Sequence, residues 1–296
     1  MTATPAITQV LRGMVDMHCH SGPSPMPRRF DHAEAAVDGE RVEMRAMVVK
    51  SHHHNTQMDV LAMRGRLEQT PTKVFGGIAL NSQVGGLNPH AVRMSLRMGG
   101  KVVWFPTISS GRHIECHPEH GNFPKTSMPL TQDRIDVVDD AGELKPEVHE
   151  ILAEITDQRA VVSGGHMYPE YIRQLFEAAR AAGIDRMMIN HPDFVIGAEP
   201  EMCQEYVRLG AYVEHEMFMY DPDGPMKWDI AALKRWIETI GPDHTVLASD
   251  LGQLGFSKPV DGFLRVCTAL LDLGLPEKDL QKMVRDNPIF LLGLDA

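Results

Sequence analysis

Two histidines stand one residue apart in the stretch VDMHCH, at positions 15–20 of the chain. The apolar residues around them predict a short buried strand, and alternate side chains of a strand project from the same face. His18 and His20 would therefore point together, while Cys19 points away. Two neutral imidazoles fixed on one strand can supply half of a metal site. Taken alone, the pair fits ordinary packing as well as it fits metal binding.

Short apolar runs recur along the chain and alternate with amphipathic helical stretches. Most runs are nearly continuously apolar, as in parallel strands that are covered on both faces. Eight of them are predicted as strands, at 13–17, 45–50, 73–80, 101–106, 160–165, 186–190, 211–218 and 245–249. Each is followed by a helix or a helix-sized interval, which predicts one domain over 1–296 with the (β/α)8 TIM-barrel fold. A doubly wound open sheet is the alternative, but no Gly-x-Gly-x-x-Gly loop follows the first strand.

The interval between the fourth and fifth predicted strands, 107–159, is the longest. It contains a predicted helix at 146–157 and a predicted hairpin in the sequence DVVDDAGEL, with Asp140, Ala141 and Gly142 in the turn. In a barrel, loops that follow the strands lie at the carboxyl end, where active sites form. The insertion is therefore expected to form a lid or a wall of the pocket.

Polar and titratable residues stand at the ends of most predicted strands. They are His18 and His20 on the first, Lys50 and His52 on the second, His166 on the fifth, His191 on the sixth and Asp250 on the eighth. In a barrel these positions meet at one end, however far apart they lie in the sequence. Buried polar groups need partners, and a shared metal ion would serve several of them at once. The pattern therefore predicts a metal site at the carboxyl end of the barrel.

The same stretches resemble those of a known family. DMHCH, VSGGHMY, INHPDF and ASDLGQ are similar, in this order, to the metal-binding segments of the amidohydrolase superfamily. The C-terminal MVRDNPIFLLGL resembles the segment that often closes these barrels. The first predicted strand begins at residue 13, which leaves too little chain before it for a flanking β-sandwich. The sequence therefore resembles the compact branches, which include phosphotriesterase-like, TatD-like and decarboxylase-like proteins.

The resemblance implies one or two divalent metal ions, with zinc expected and manganese or iron as alternatives. His18, His20 and Asp250 would bind the first ion. His166 and His191 would bind a second. With a single ion, His166 would join the first set and His191 would act as an electrophile or general acid. Asp250 would take the proton of the nucleophilic water and pass it to the leaving group.

Lys50 is the position at which the chain departs from the commonest pattern with two metals. Members with that pattern carry a bridging lysine or glutamate on the fourth strand, but KVVWFPTISS ends with neither. Lys50 ends the second strand instead, where a carboxylated lysine could bridge two ions. The alternative is a free ammonium that holds a substrate carboxylate or polarises a carbonyl beside one ion. A third interpretation is a lysine that only ends its strand and reaches solvent. The bridge is favoured.

Five further residues are predicted to bind the substrate: Arg28, Arg29, His52, His113 and Gln253. An arginine in the loop after the first strand could clamp a carboxylate with two hydrogen bonds, although pairing with a nearby surface acid is the alternative. His113 belongs to a cluster with Cys116, His117 and His120. The spacing of this cluster matches no common structural zinc motif, so one of its histidines is expected to reach the substrate.

Two other acidic positions are expected near the site. Asp16 stands two residues before His18 and would support the site from behind the metal ligands or cap the strand. Glu214 and His215 are neighbours on the seventh predicted strand, so their side chains face opposite sides. One of the two is expected to line the mouth of the barrel.

Composition restricts the class of protein further. Hydrophobic residues make up 43% and charged residues 23%, as is typical of a globular protein. A net charge of -11, from Lys+Arg 29 and Asp+Glu 40, argues against a nucleic-acid or anionic membrane partner. No signal peptide or apolar span is apparent, and four scattered cysteines fit a reducing compartment, so a cytoplasmic protein is expected. Homo-oligomerisation is left open.

These observations together predict a metal-dependent hydrolase that attacks a small, anionic substrate with metal-bound hydroxide, since a divalent metal lowers the pKa of bound water to about 7. Cleavage of an amide or cyclic amide C–N bond is favoured by the resemblance, with lactone or phosphoester hydrolysis next. The alternative is a mononuclear decarboxylase or hydratase in which the metal and Lys50 hold a carboxylated substrate. A metal-binding protein without catalysis is disfavoured because Asp250 is present together with every histidine.

Overall fold

The computed structural model describes residues 5–116, 126–128, 130 and 133–295. In these ranges the strands are β1 Val15–Cys19, β2 Ala46–Val49, β3 Lys73–Phe75, β4 Gly77–Ala79, β5 Val102–Trp104, β6 Val161–Ser163, β7 Met187–Asn190, β8 Ala211–Glu216 and β9 Thr245–Ala248. Strands β1 to β3 pair in chain order, and so do β4 to β9, always in parallel. Only Gly76 separates β3 from β4, which together occupy the third predicted strand. All eight predicted strand positions are therefore confirmed.

Hydrogen bonds at the carboxyl ends connect the last strand to the first. The Asp250 amide donates to the His18 carbonyl, and the His20 amide donates to the Leu251 carbonyl, each with an N–O distance of 2.8 Å. Cys19 and Leu251 also form a parallel bridge. The strand series thus returns to its start, as in a (β/α)8 barrel, and Asp250 is held directly beside the two histidines.

Helices alternate with the strands. They are α1 Pro5–Leu11, α2 His32–Gly39, α3 Thr56–Ala62, α4 Arg64–Leu67, α5 Pro89–Arg97, α6 Gly111–Cys116, α7 Pro146–Gln158, α8 Pro169–Ala181, α9 Pro200–Arg208, α10 Met217–Tyr220, α11 Ile230–Ile240, α12 Pro259–Asp272, α13 Glu277–Gln281 and α14 Asn287–Leu292. Shorter 3-10 or π segments lie at Glu40–Val42, Ser82–Val84, Pro192–Ile196, Pro242–His244 and Lys282–Asp286. None of the helices described is long and apolar enough to cross a membrane.

The ends of the helices follow from local sequence. Pro169 begins α8, since a first-turn residue needs no amide hydrogen, and Gly183 follows its end with a φ of 84°. Asp31 precedes α2 and accepts a hydrogen bond from the Glu34 amide, while the Glu34 side chain accepts one from the Asp31 amide. This capping box holds the loop that leads from β1 into α2.

An apolar cluster collects side chains from strands around the whole series, among them Met17, Val48, Trp104, Met188 and Val246. Ile289, Leu291 and Leu292 of α14 pack into the same cluster, as the resemblance of the C-terminal segment implies. Two further clusters pack the strands against the surrounding helices. Burial of this apolar surface supplies the main driving force that holds the strand ends in place.

The insertion after β5 contains α6, the predicted hairpin and α7. Val138 and Leu144 form an antiparallel bridge, and Gly142 takes a φ of 83° in the turn. Arg112 of α6 donates through Nε to the Val195 carbonyl at 3.0 Å, so α6 lies against the segment that follows β7. Residues 117–125 lie outside the described residues, and with them the candidates His117 and His120.

Candidate metal and active site

His18, His20 and Asp250 form the centre of the site. The Oδ1 atom of Asp250 lies 2.9 Å from His20 Nε2 and 3.5 Å from His18 Nε2. One donor atom from each residue lies within 4.8 Å of the others, and all three residues are buried. Two imidazoles and a carboxylate at these separations could hold one divalent metal ion.

Hydrogen bonds at the Nδ1 atoms place the lone pair of each histidine on Nε2, where His18 faces Lys50 and His20 faces Asp250. The His20 Nδ1 lies 3.0 Å from the Lys50 carbonyl, which only accepts, so this nitrogen carries the proton. The His18 Nδ1 lies 3.0 Å from Glu214 Oε1 and 2.8 Å from Glu216 Oε1. Partners of this kind fix the tautomer and the ring orientation of metal-binding histidines.

Two buried glutamates thus lie behind His18, and only one of them was singled out from the sequence. Glu214 and Glu216 are fully buried and two residues apart on β8. Burial raises the pKa of Glu214 to about 6. Burial, together with repulsion from Glu214, raises the pKa of Glu216 well above its ordinary value. Glu216 could have been predicted from the run AYVEHEMF, because it stands two residues after Glu214 and so faces the same side of the strand.

Lys50 lies in the middle of the site. Its Nζ is 2.9 Å from His18 Nε2 and 5.4 Å from the centre of the Trp104 ring. The residue is fully buried, which excludes the interpretation that it reaches solvent. Burial lowers the pKa of Lys50, against the opposing effect of Asp250 and the glutamates. The position suits both the carboxylated bridge and the free ammonium.

His166 and His191 extend the histidine cluster. Their ring centres are 4.7 Å apart, and the His191 ring centre is 6.1 Å from that of His18. The His166 Nε2 and His191 Nδ1 atoms are buried without a hydrogen-bond partner in the described part of the chain. Burial lowers the pKa of His166 well below its ordinary value and that of His191 to about 4. Two neutral, unpartnered imidazole nitrogens are suitable as further metal ligands.

His113 of α6 lies against His166. The two Nδ1 atoms are 2.9 Å apart, and the rings stack with centres 5.0 Å apart. When His166 donates from Nδ1 and His113 accepts, the His166 Nε2 keeps its lone pair for a metal. The position therefore suits orientation of His166 better than the predicted direct contact with a substrate.

The other predicted substrate-binding residues separate into two groups. Arg28 Nη2 lies 3.3 Å from His20 Nδ1, and the His52 ring centre lies 5.2 Å from that of His20. Gln253 donates to the Asp250 carbonyl at 3.0 Å. These three residues join the site. Arg29 does not, because it is exposed and donates to the Phe256 carbonyl at 2.6 Å.

Asp16 ties the first strand to the last, as expected for a supporting residue. Its carboxylate accepts from the Ser249 hydroxyl at 2.6 Å, from the Ser249 amide at 3.0 Å and from the His18 amide at 3.1 Å. Burial raises the pKa of Asp16 to about 6, against these hydrogen bonds. Asp16 therefore holds the backbone next to the candidate metal ligands on the first and the last strand.

The fold is that of amidohydrolase-superfamily proteins of known structure. An amidohydrolase from Pseudomonas aeruginosa is 14% identical, with 98% of each chain covered and a TM-score of 0.64. The probable dipeptidase PvdM from the same species is 12% identical, with 98% of each chain covered and a TM-score of 0.66. A lactonase from Listeria monocytogenes is 13% identical, with 98% of this chain and 97% of that chain covered and a TM-score of 0.59. At these identities the likeness concerns the fold, and it confirms the predicted barrel class.

The family model described as "Family of unknown function (DUF6282)" matches residues 13–214. The chain therefore belongs to this family, whose description carries no activity. No curated protein matches the sequence. What the protein does has to be argued from its site.

Proposed function

We propose that the protein is a metal-dependent hydrolase of a small substrate. The observation that carries this proposal is the convergence of His18, His20 and Asp250 beside two buried imidazoles that have unpartnered nitrogens. Polar side chains in a core that serves packing alone normally have protein or water partners. Five titratable groups that follow strands far apart in the sequence are buried close together here, which supports a common ligand.

The donor set fits a divalent transition metal. Imidazole nitrogens and a carboxylate suit zinc, and also manganese or iron. The residues that would hold one or two ions are His18, His20, Lys50, His166, His191 and Asp250. When bound, the metal would act as a Lewis acid and lower the pKa of a coordinated water. Lys50 would contribute a ligand only in its carboxylated form.

Asp250 is placed to move protons. Burial alone would raise its pKa, but the neighbouring His20, His191 and Lys50 lower it. An ionised carboxylate can take a proton from the attacking water and return it to the leaving nitrogen or oxygen. His191 and Lys50 lie beside it and would polarise the carbonyl of the substrate.

The favoured reaction is hydrolysis of an amide or cyclic amide, with lactone or phosphoester hydrolysis next. A probable dipeptidase and a lactonase share the fold, which supports carbonyl substrates. A mononuclear decarboxylase is the second candidate. It is favoured by one observation, the Lys50 Nζ at 2.9 Å from His18 Nε2, because a free ammonium there could hold a substrate carboxylate beside a single ion.

Metal analysis of the purified protein tests the proposal and separates the candidates. We expect one or two ions per chain, a loss in His18→Ala, and no change in the control His149→Ala, which alters an exposed histidine on α7. If the wild type binds two ions per chain and Lys50→Ala binds fewer, the carboxylated bridge is supported. If both bind one ion per chain, the free ammonium is favoured. Turnover is then measured on small amides, lactones and phosphoesters. A protein without tightly bound metal under every loading condition would contradict the proposal.

A further inference from the structure

Arg28 is a part-buried cation whose guanidinium is not in an ion pair with any described acid. Its Nε and Nη1 atoms are buried and lack hydrogen-bond partners among the residues described. Its Nη2 lies 3.3 Å from His20 Nδ1. That nitrogen already donates its proton to the Lys50 carbonyl, so it offers no lone pair to the arginine. Among the described residues the guanidinium forms no ion pair with a carboxylate, and Asp250 attracts it only from a longer distance.

Two other part-buried arginines of the protein, Arg93 and Arg265, are paired with acids. Arg265 donates from Nε and Nη2 to the two carboxylate oxygens of Asp221, each at 2.7 Å. Arg93 donates to Glu154 at 2.8 Å. A buried charge without a partner lowers stability, because its lost hydration is not replaced. An anion that binds at Arg28 would remove this cost, so the unpaired guanidinium indicates a ligand.

The backbone around Arg28 holds its side chain at the site. Arg28 and Gln253 form an antiparallel bridge, and the Arg29 amide donates to the Gly252 carbonyl at 2.9 Å. The stem of Arg28 lies across Gly22, where an added Cβ would come 3.2 Å from both Cβ and Cγ of the arginine. The loop after β1 is therefore fixed to the loop after β9, which carries the proton-transferring aspartate.

We propose that Arg28 binds a carboxylate of the substrate, so that the substrate is a carboxylated amide or lactone; this rests on the proposed function. The guanidinium presents parallel N–H donors that match the two oxygens of a carboxylate. Arg28 Nη2 lies next to Nδ1 of the His20 ring, and Nε2 of the same ring faces Asp250. The carboxylate would therefore lie within a few bonds of the carbonyl that reacts, as in an N-acyl amino acid. The buried Gln253 Oε1, which has no partner in the described residues, could accept from a nearby N–H of such a substrate.

Binding of matched acid and amide probes tests whether Arg28 is the anchor for the substrate carboxylate. Calorimetry on the metal-loaded protein would compare N-acetylglycine with N-acetylglycinamide, and benzoate with benzamide. We expect the acids to bind more tightly to the wild type and Arg28→Gln to weaken the acids by about 10- to 100-fold, since a charge-assisted bidentate pair is lost. Arg28→Lys should recover part of the affinity, and the neutral amides should be insensitive to both changes. If no acid of the panel shows a dependence on Arg28, the proposal is wrong.

Thermal unfolding without ligand provides a second readout, because a structural role and a ligand-binding role of Arg28 predict different changes in Tm. Arg28→Met removes an unpaired buried charge, so its Tm should stay unchanged or rise. The matched control Arg265→Met breaks the pair with Asp221 and should lower the Tm. A fall in Arg28→Met as large as that in the control would show that Arg28 serves the fold, and would overturn the anchor.

The preference for acids over amides is also measured after the metal is removed by chelation. Evidence against the anchor can then be distinguished from evidence against the proposed function. Arg28-dependent binding of acids that persists without metal supports the anchor even if no hydrolysis is found. Hydrolysis of carboxylated amides with kcat/KM unchanged in Arg28→Gln would support the proposed function and contradict the anchor.

Discussion

His191 and Asp250 both adopt left-handed backbone conformations, with φ of 27° and 48°. Residues other than glycine avoid this region, at a cost of about 1–3 kcal/mol each. The His191 amide donates to the Glu214 carbonyl and the Asp250 amide to the His18 carbonyl, each at 2.8 Å, directly after their strands. These bonds hold the strained residues where the strands end. The strained residues are thus the two with proposed chemical roles: Asp250 would transfer the proton, and His191 would polarise the substrate carbonyl.

Asp250→Asn tests the role of this carboxylate at the scale of the single residue. The amide keeps the size of the side chain but cannot take a proton, so turnover should fall by about 10²- to 10⁴-fold on any substrate found. Steady-state kinetics would measure the loss, and circular dichroism would confirm an intact fold. Full turnover in this variant would show that another group moves the proton.

Glu216→Gln tests the support that His18 receives from behind. The substitution keeps a hydrogen-bond acceptor but removes the carboxyl group next to Nδ1, so we expect metal affinity to fall by about 10- to 100-fold. Competition with a chelating dye would measure the affinity. Glu205→Gln, an exposed change on α9, is the control and should have no effect. Equal affinity in the two variants would mean that Glu216 does not support the ligand.

At the scale of secondary-structure elements, strand ends and the loops after them carry the site. β1 contributes His18, β2 is followed by Lys50, and β8 places Glu214 and Glu216 beneath them. α6 of the insertion adds His113 from the side. The helices outside the strands hold these elements in position, and α12 does so through the pair of Arg265 with Asp221, which follows α10.

Asp221→Asn should weaken this attachment of α12. Asp221 is fully buried and Arg265 mostly so, and loss of their charge pair should lower the free energy of unfolding by about 2–4 kcal/mol. Burial would raise the pKa of Asp221, but hydrogen bonds from Arg265 and Ser257 hold it below its ordinary value. A depressed pKa stabilises the fold above the pKa of the unfolded state, about 3.9. That stability is lost as the pH falls through the folded-state pKa.

Urea unfolding at several pH values would measure both effects. The wild type should lose stability more steeply than Asp221→Asn as the pH falls below about 4, because the variant has no carboxylate to protonate there. Glu177→Gln is the control. It breaks an exposed pair with Arg173 and should change the free energy of unfolding by less than about 0.5 kcal/mol. Equal stability of Asp221→Asn and wild type at neutral pH would contradict the role of the pair.

At the scale of the whole molecule, a series of parallel strands brings distant residues to one end. Residues 18 and 250 meet because the last strand bonds to the first. A ligand held by several strands then links them to one another. Since binding to the folded state alone adds stability through mass action, a bound metal would stabilise the entire fold.

Chelation should therefore lower the thermal stability of the protein. A metal present at about 100 times its dissociation constant adds about 2.7 kcal/mol, which corresponds to a shift in Tm of several degrees. Differential scanning calorimetry before and after chelation would measure the shift, and added zinc should reverse it. His18→Ala should have a low Tm that chelation does not change. A wild type that is insensitive to chelation would argue against a metal held by the strands.

Much of this organisation could be predicted from the sequence, because it depends on local patterns. Apolar runs such as 245–249 predict buried parallel strands, and five of the confirmed strands carry polar end residues of the site with them. The order of His18, His20, His166, His191 and Asp250 then predicts one cluster as soon as a barrel is assumed. Glu216 was missed although its spacing from Glu214 contains the same kind of signal.

Sequence alone determined the residue types at the strand ends, the strand positions and hence the class of fold. Tertiary structure alone decided which of two adjacent arginines enters the site. It also decided that Lys50 is buried against His18 and that His113 lies behind His166. The physical reason is that strand period depends on neighbours in the chain, whereas burial and hydrogen-bond partners depend on residues far away. The partners of His18 come from β8, some two hundred positions later, at residues 214 and 216.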